Sequence, residues 1–208
     1  MDMTKYYAVA AVLAVIAGLG IGTYFVSGFS ETAGYDSCRT ATIAGGAGQL
    51  GGDFSLLSET GEAVTAADVI TEPTLVYFGY TYCPDVCPLD TVRNVDATVL
   101  LNERGYDMQS VFITVDPERD TPEAMDDFTA NIHPDLLGLT GSPDQIEAAA
   151  KAYKVYYNAH EAEDEFYLVD HSTFSYLVLP EVGFVEFFRR EVEPEDMADK
   201  IACFLDVA

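Results

Sequence analysis

Thr74-Leu-Val-Tyr-Phe-Gly-Tyr80 carries no charge and is dense in β-branched and aromatic side chains. A run of this kind fits a strand buried on both faces, because a half-exposed strand would alternate with polar residues. Cys83-Pro84-Asp85-Val86-Cys87-Pro88 follows at once. Residues 88–104 place Val92, Val95, Val99, Leu100 and Leu101 at helical spacing and stop before Gly105, which predicts a helix. Residues 109–115 read as a second buried strand. Thr121 with Pro122 and Glu123 opens a capped helix to about Asn131. A short strand is expected at 136–139 and a helix capped by Ser142 to about Tyr153. Residues 158–165 read as an acidic loop. Strands at 173–179 and 183–189 form a hairpin about the turn at 180–182, and a last helix runs from Glu193 to about Asp206. Upstream, 53–58 and 63–65 read as a short hairpin. Strands alternating with helices, then a hairpin and a helix, make an α/β sandwich in a thioredoxin-like order.

The chain has 208 residues, 35 Asp plus Glu against 10 Lys plus Arg, and a net charge of −25. With 49% hydrophobic residues it is not a disordered chain. So few bases exclude a nucleic-acid partner, which requires clustered Lys and Arg. The apolar content is concentrated at the start: residues 6–30 lack charge, and 6–26 are long enough to span a bilayer as a helix. Tyr6 and Tyr7 at one end and Tyr24 and Phe25 at the other suit the two interfaces. A cleaved signal peptide is the rival reading; its apolar region is ordinarily shorter, and no A-x-A site follows. Lys5 precedes the run and Glu31 and Asp36 follow it, so the chain beyond the span is expected outside the cytoplasm, in an oxidising compartment in bacteria. The expected organisation is a membrane anchor at 1–30, a glycine-rich linker at 31–50 and one domain at 51–208.

Cys83 and Cys87 stand about one helical turn apart at the carboxyl end of the strongest strand, where open α/β sheets place ligands. A helix N-terminus there favours thiolate over thiol. The pair can hold a soft metal or close a disulfide. A third ligand has to come from His133, His160 or His171. His133 follows a predicted helix and His160 lies in the acidic loop, both ordinary surface positions. His171 sits in a short loop at a strand edge. Two thiolates and an imidazole suit Cu(I), and with an open position they also suit zinc, so ligand type leaves both open.

Residues 76–88 (VYFGYTYCPDVCP), 114–122 (TVDPERDTP) and 167–172 (YLVDHS) with Ser175-Tyr176-Leu177 resemble, in order, the signatures of the Sco/SenC family. The resemblance spans about 50–205. It implies a membrane-tethered, thioredoxin-like copper chaperone that serves the binuclear copper centre of cytochrome c oxidase subunit II. It implies copper ligands at Cys83, Cys87 and His171, and an acid near the metal at Asp116. A chaperone of this kind also needs a copper donor and a periplasmic thiol reductase, since copper binds only the reduced pair. The expected location is the bacterial inner membrane, single-pass, with the domain in the periplasm. Cys38 and Cys203 fall outside the family motif, and two extra cysteines in an exported domain are expected to pair with each other. The alternative reading is a thiol–disulfide reductase that keeps target cysteines reduced for copper loading. A peroxidase is disfavoured: peroxiredoxins carry Pro-x-x-x-Thr-x-x-Cys, and here position 76 is Val76.

Overall fold

The uncharged run at 74–80 lies inside a seven-stranded sheet, with every residue of its strand buried. The computed structural model describes Leu13 and residues 35–39, 50–160 and 166–207. Apart from Leu13, the expected span at 6–26 lies outside the described residues, as does most of the linker. Among the described residues no helix is long and apolar enough to cross a membrane.

Among the described residues the elements run β1 (Ser55–Ser58), β2 (Ala63–Thr65), α1 (Ala66–Val69), β3 (Thr74–Gly79), α2 (Val86–Glu103), β4 (Gln109–Thr114), α3 (Pro122–Ile132) and β5 (Leu136–Thr140). There follow α4 (Pro143–Ala152), β6 (Tyr157–Ala159), β7 (Val169–His171), β8 (Ser175–Leu179), β9 (Gly183–Phe188) and α5 (Pro194–Asp206). The sheet order is β2-β1-β5-β4-β3-β8-β9, parallel through β5, β4 and β3 and antiparallel beyond. This is the thioredoxin-like arrangement expected from the element order.

Alternation along β3 sends Leu75 to one face and Val76 and Phe78 to the other. Leu75 packs with Ala97 and Leu101 of α2, Val185 of β9, and Met197, Ile201 and Phe204 of α5. Val76 and Phe78 join Phe112, Met125 of α3 and Ile146 of α4. The chain before the domain is held against the first of these cores. Tyr35–Ser37 form a 3-10 turn, Tyr35 and Cys38 are buried in that core, and Cys38 is disulfide-bonded to Cys203 of α5.

Three local features depart from expectation. Helix α2 starts at Val86, so Cys87 lies in its first turn; Pro88 is tolerated there because first-turn amides have no intrahelical acceptor. The four-residue α1, capped by Asp68 against Thr65, is too short to show periodicity. The third is a separate two-stranded ribbon. Tyr157 pairs with His171 and Ala159 with Val169, so His171 ends a strand where a loop was expected, and the acidic stretch begins as β6. Strands of three residues carry no readable alternation, and their pairing is set across an intervening loop. Only 161–165 of that acidic stretch lie outside the described residues.

Candidate metal centre

The centre forms where β3 ends. Asp85 occupies the N-cap of α2 but its side chain makes no capping bond. The Cys83 sulfur does that job, accepting from the Cys87 amide at 3.3 Å, which satisfies an otherwise orphaned helix N–H. Cys83 is partly exposed and Cys87 buried. Their thiols are driven apart. The Cys87 thiol hydrogen-bonds to Cys83 and lowers the Cys83 pKa far below the thiol range; contact with His171 and the Asp85 and Cys87 amides add to it against the burial cost. Cys87 is pushed up, first by the same bond to Cys83 and then by burial. The pair is therefore an accessible thiolate over a buried thiol.

His171 completes the group. Its Nε2 is 3.2 Å from the Cys87 sulfur, and its Nδ1 is 2.9 Å from the Ser172 carbonyl. A carbonyl only accepts, so Nδ1 carries the proton and Nε2 presents its lone pair to the cysteines. That is the tautomer a metal-binding imidazole requires, with the far nitrogen anchored. Tyr77 and Tyr80 stand edge-on to the ring, with centroids 6.2 and 5.8 Å away. Below them the Tyr77 hydroxyl donates to buried Asp90 at 3.1 Å.

The turn after β4 holds both halves of the centre. Asp120, fully buried, accepts from the Thr81 amide at 3.0 Å, the Thr81 hydroxyl at 2.6 Å and the Thr114 hydroxyl, which fixes the segment leading to Cys83. Asp116 is ion-paired to Arg119 and accepts from the Tyr167 hydroxyl at 2.7 Å. One carboxylate oxygen is thus engaged by Tyr167 of the segment that leads into β7, and the other by Arg119 of its own turn. Asp116, expected beside the metal, bears on the centre by holding Tyr167 four residues ahead of His171. The donor set of one thiolate, one thiol and a bare imidazole nitrogen fits a soft ion.

His133 and His160 are not brought to the cysteines. His133 caps the end of α3 and accepts from the Asp135 amide at 3.2 Å; it lines a cavity of about 700 Å³ with Glu103, Asp107 and Met108. His160 faces the Asp170 carboxylate at 2.8 Å in the exposed ribbon. Sequence reasoning did not single out Tyr77, Tyr80, Asp90, Arg119 or Asp120. All but Asp90 lie within the motifs at 76–88 and 114–122, but nothing in their spacing shows what they touch.

Residues 44–206 match the SCO1/SenC family. Protein SenC of Rhodobacter capsulatus is 50% identical over 203 residues, covering 98% of this chain and 91% of SenC. The chain spans about half the length of the mitochondrial SCO1 homologs that it matches in Arabidopsis thaliana (47%) and Homo sapiens (52%). Among solved structures, Arabidopsis thaliana ScoI with copper bound is 40% identical, with a TM-score of 0.73 over 76% of this chain and 99% of ScoI. BsSco, described as having a disulfide switch and as a member of the Sco family of cytochrome c oxidase assembly proteins, is 26% identical. Its TM-score is 0.60 over 76% of this chain and 92% of that one.

Proposed function

The chain belongs to the SCO1/SenC family, and from that premise we propose that it is a membrane-anchored copper chaperone. It takes copper on Cys83, Cys87 and His171 and delivers it to the binuclear copper centre of cytochrome c oxidase subunit II. The observation that carries this reading is the bare Nε2 of His171 facing the cysteine pair, with its tautomer fixed from behind by Ser172. A thiol–disulfide exchange site has no use for an imidazole anchored in this way, whereas a metal site needs one. Copper-bound relatives support the choice of ion over zinc.

In this reading Cys83, partly exposed and already ionised, meets the incoming ion first. Cys87 gives up its proton as the second sulfur is engaged, so loading releases a proton to solvent. Release to the acceptor runs through the same exposed sulfur. Residues 6–26 anchor the chain in the bacterial inner membrane with the domain in the periplasm. A copper donor and a periplasmic thiol reductase supply the ion and the reduced cysteines.

Copper titration of the reduced full chain tests the assignment. One copper should bind per chain, and Cys83→Ser or Cys87→Ser should abolish stable binding. His171→Ala should lose Cu(II) first and Cu(I) only in part, because two thiolates still suit Cu(I) while Cu(II) asks for nitrogen or oxygen ligands. Full copper stoichiometry in the double cysteine variant would refute the ligand set. The reductase reading has one observation in its favour, the accessible Cys83 thiolate above a resolving thiol. It requires His171→Ala to keep the dithiol redox-active, with undiminished reduction of the subunit II disulfide as Cys83 and Cys87 become oxidised to their own disulfide.

A further inference from the structure

The cysteines and His171 belong to different sheets. Cys83 and Cys87 follow β3 of the main sheet, whereas His171 ends β7, which among the described residues pairs with β6 alone. What holds the two together at hydrogen-bonding distance is therefore a question of side chains. One of them reaches both. The Arg119 guanidinium lies 3.5 Å from the centroid of the Tyr167 ring and 4.8 Å from that of Tyr82, with the Tyr80 ring at 5.8 Å. Tyr82 adjoins Cys83. Tyr167 leads into β7, and Tyr80 stands edge-on to the His171 ring. The guanidinium also donates from Nη1 to the Tyr167 carbonyl at 2.9 Å and from Nε to Asp116, which in turn accepts from the Tyr167 hydroxyl.

We propose that Arg119 is the positioning residue that sets the separation of His171 from the cysteine pair, by clamping the Tyr82 and Tyr167 segments on its planar cation. The inference rests on the copper reading for its metal arm but not for its structural arm. Besides the Cys87–His171 contact itself and the Tyr77 and Tyr80 rings against His171, other ties join the segments, notably the β8–β3 pairing of Ser175 with Tyr77, and a hydrogen bond of the Val169 backbone to the Tyr80 hydroxyl. The strand pairing begins four residues beyond His171 and the Val169 bond lies two before it. The Arg119 contacts engage Tyr82, the residue next to Cys83. Lysine keeps the charge, but it cannot lie flat over two rings while donating to a carbonyl and a carboxylate at fixed angles.

The test is Arg119→Lys in the full chain, read in the metal-free and copper-loaded states. In the metal-free protein, amide hydrogen exchange over 167–172 should quicken by about tenfold or more while β3 and β4 amides stay protected, the loss expected when a desolvated cation–π contact is removed. Cu(II) affinity should fall by about tenfold and Cu(I) by less than about threefold, following their different need for the imidazole. Unchanged exchange over 167–172 would overturn the proposal. So would exchange that quickens equally through β3 and β4, or equal losses of both copper states, since each marks a general loss of stability. If Arg119→Lys fails to fold, Tyr82→Leu at an exposed position removes one side of the clamp and should move each reading the same way by less; no movement there also overturns it. A wild-type chain that binds no copper would defeat the copper reading, and the exchange measurement would still decide the role of Arg119.

Discussion

Two cysteines one turn apart are chemically unequal here because they hydrogen-bond to each other with one sulfur partly exposed and the other buried. The Cys83 sulfur accepts the Cys87 amide, and hydrogen bonding between the two side chains lowers the Cys83 thiol and raises that of Cys87, so negative charge collects on the partly exposed sulfur and the proton stays at the buried one. Iodoacetamide at about pH 6, where an ordinary thiol is inert, should therefore label Cys83 and leave Cys87 unlabelled in the reduced native protein. Peptide mass spectrometry reads this directly; equal labelling would show that the sulfurs share the charge. Because the folded pKa of Cys83 is lowered, its thiolate stabilises the fold fully above the unfolded value of 9.0, and this contribution is lost as pH falls below it. The metal-free Cys83→Ser protein should accordingly lose less stability than wild type between pH 9 and 6, by urea midpoints. The cysteines and His171 were legible in the sequence because strand end, spacing and motif all point to them. The clamp was not, since the meeting of Arg119 with Tyr82 and Tyr167 joins residues 37 and 48 positions away in a chain whose order alone gives no contact.

At the scale of elements, the strap before the domain and the last helix depend on each other. Cys38 and Cys203 close a loop with a sequence separation of 165, their Cα atoms 5.7 Å apart, and Tyr35 stacks on Phe204 beside them with ring centroids 6.0 Å apart. Arg39 adds a bond from Nε to the Val185 carbonyl at 3.3 Å. The chain-entropy account gives a loop of this size on the order of 5 kcal/mol. Cys203→Ser should thus lower the melting temperature by something of the order of 10 °C. Copper stoichiometry should be unaltered, because α5 packs against the opposite end of α2 from Cys87, around Ala97 and Leu101. A variant that melts with wild type would show that Tyr35 and Arg39 alone hold the strap. The long elements were readable: β3 and β4 as uncharged runs, and α3 and α4 from Thr121 and Ser142 caps with proline in the first turn. The β6–β7 ribbon was not, because Tyr157-Asn-Ala and Val169-Asp-His gain their conformation from each other. Placing His171 at the cysteines was hence a step that needed the family resemblance or the structure.

Net charge belongs to the whole molecule and is legible without any structure, since charges add whatever the fold. Apart from Asp2 and Lys5 every charged side chain lies beyond residue 30, so the full −25 acts on the domain and its linker. Folding draws these carboxylates together, and few bases offset them: Arg104 pairs with Asp199 and Arg119 with Asp116. At low ionic strength the charges act across a Debye length of about 30 Å, comparable to the domain, and at 1 M salt across about 3 Å. The repulsion raises the free energy of the compact state more than that of the extended one. Salt should therefore stabilise this protein, with the urea midpoint rising between about 10 mM and 500 mM sodium chloride at pH 7. The same screening weakens the surface Arg104–Asp199 pair, but an exposed pair contributes only about 0–1 kcal/mol. The sign is thus decided by the excess of like charges over pairs. A midpoint that falls with salt would mean that local ion pairs, and not the net charge, dominate the electrostatics of this fold.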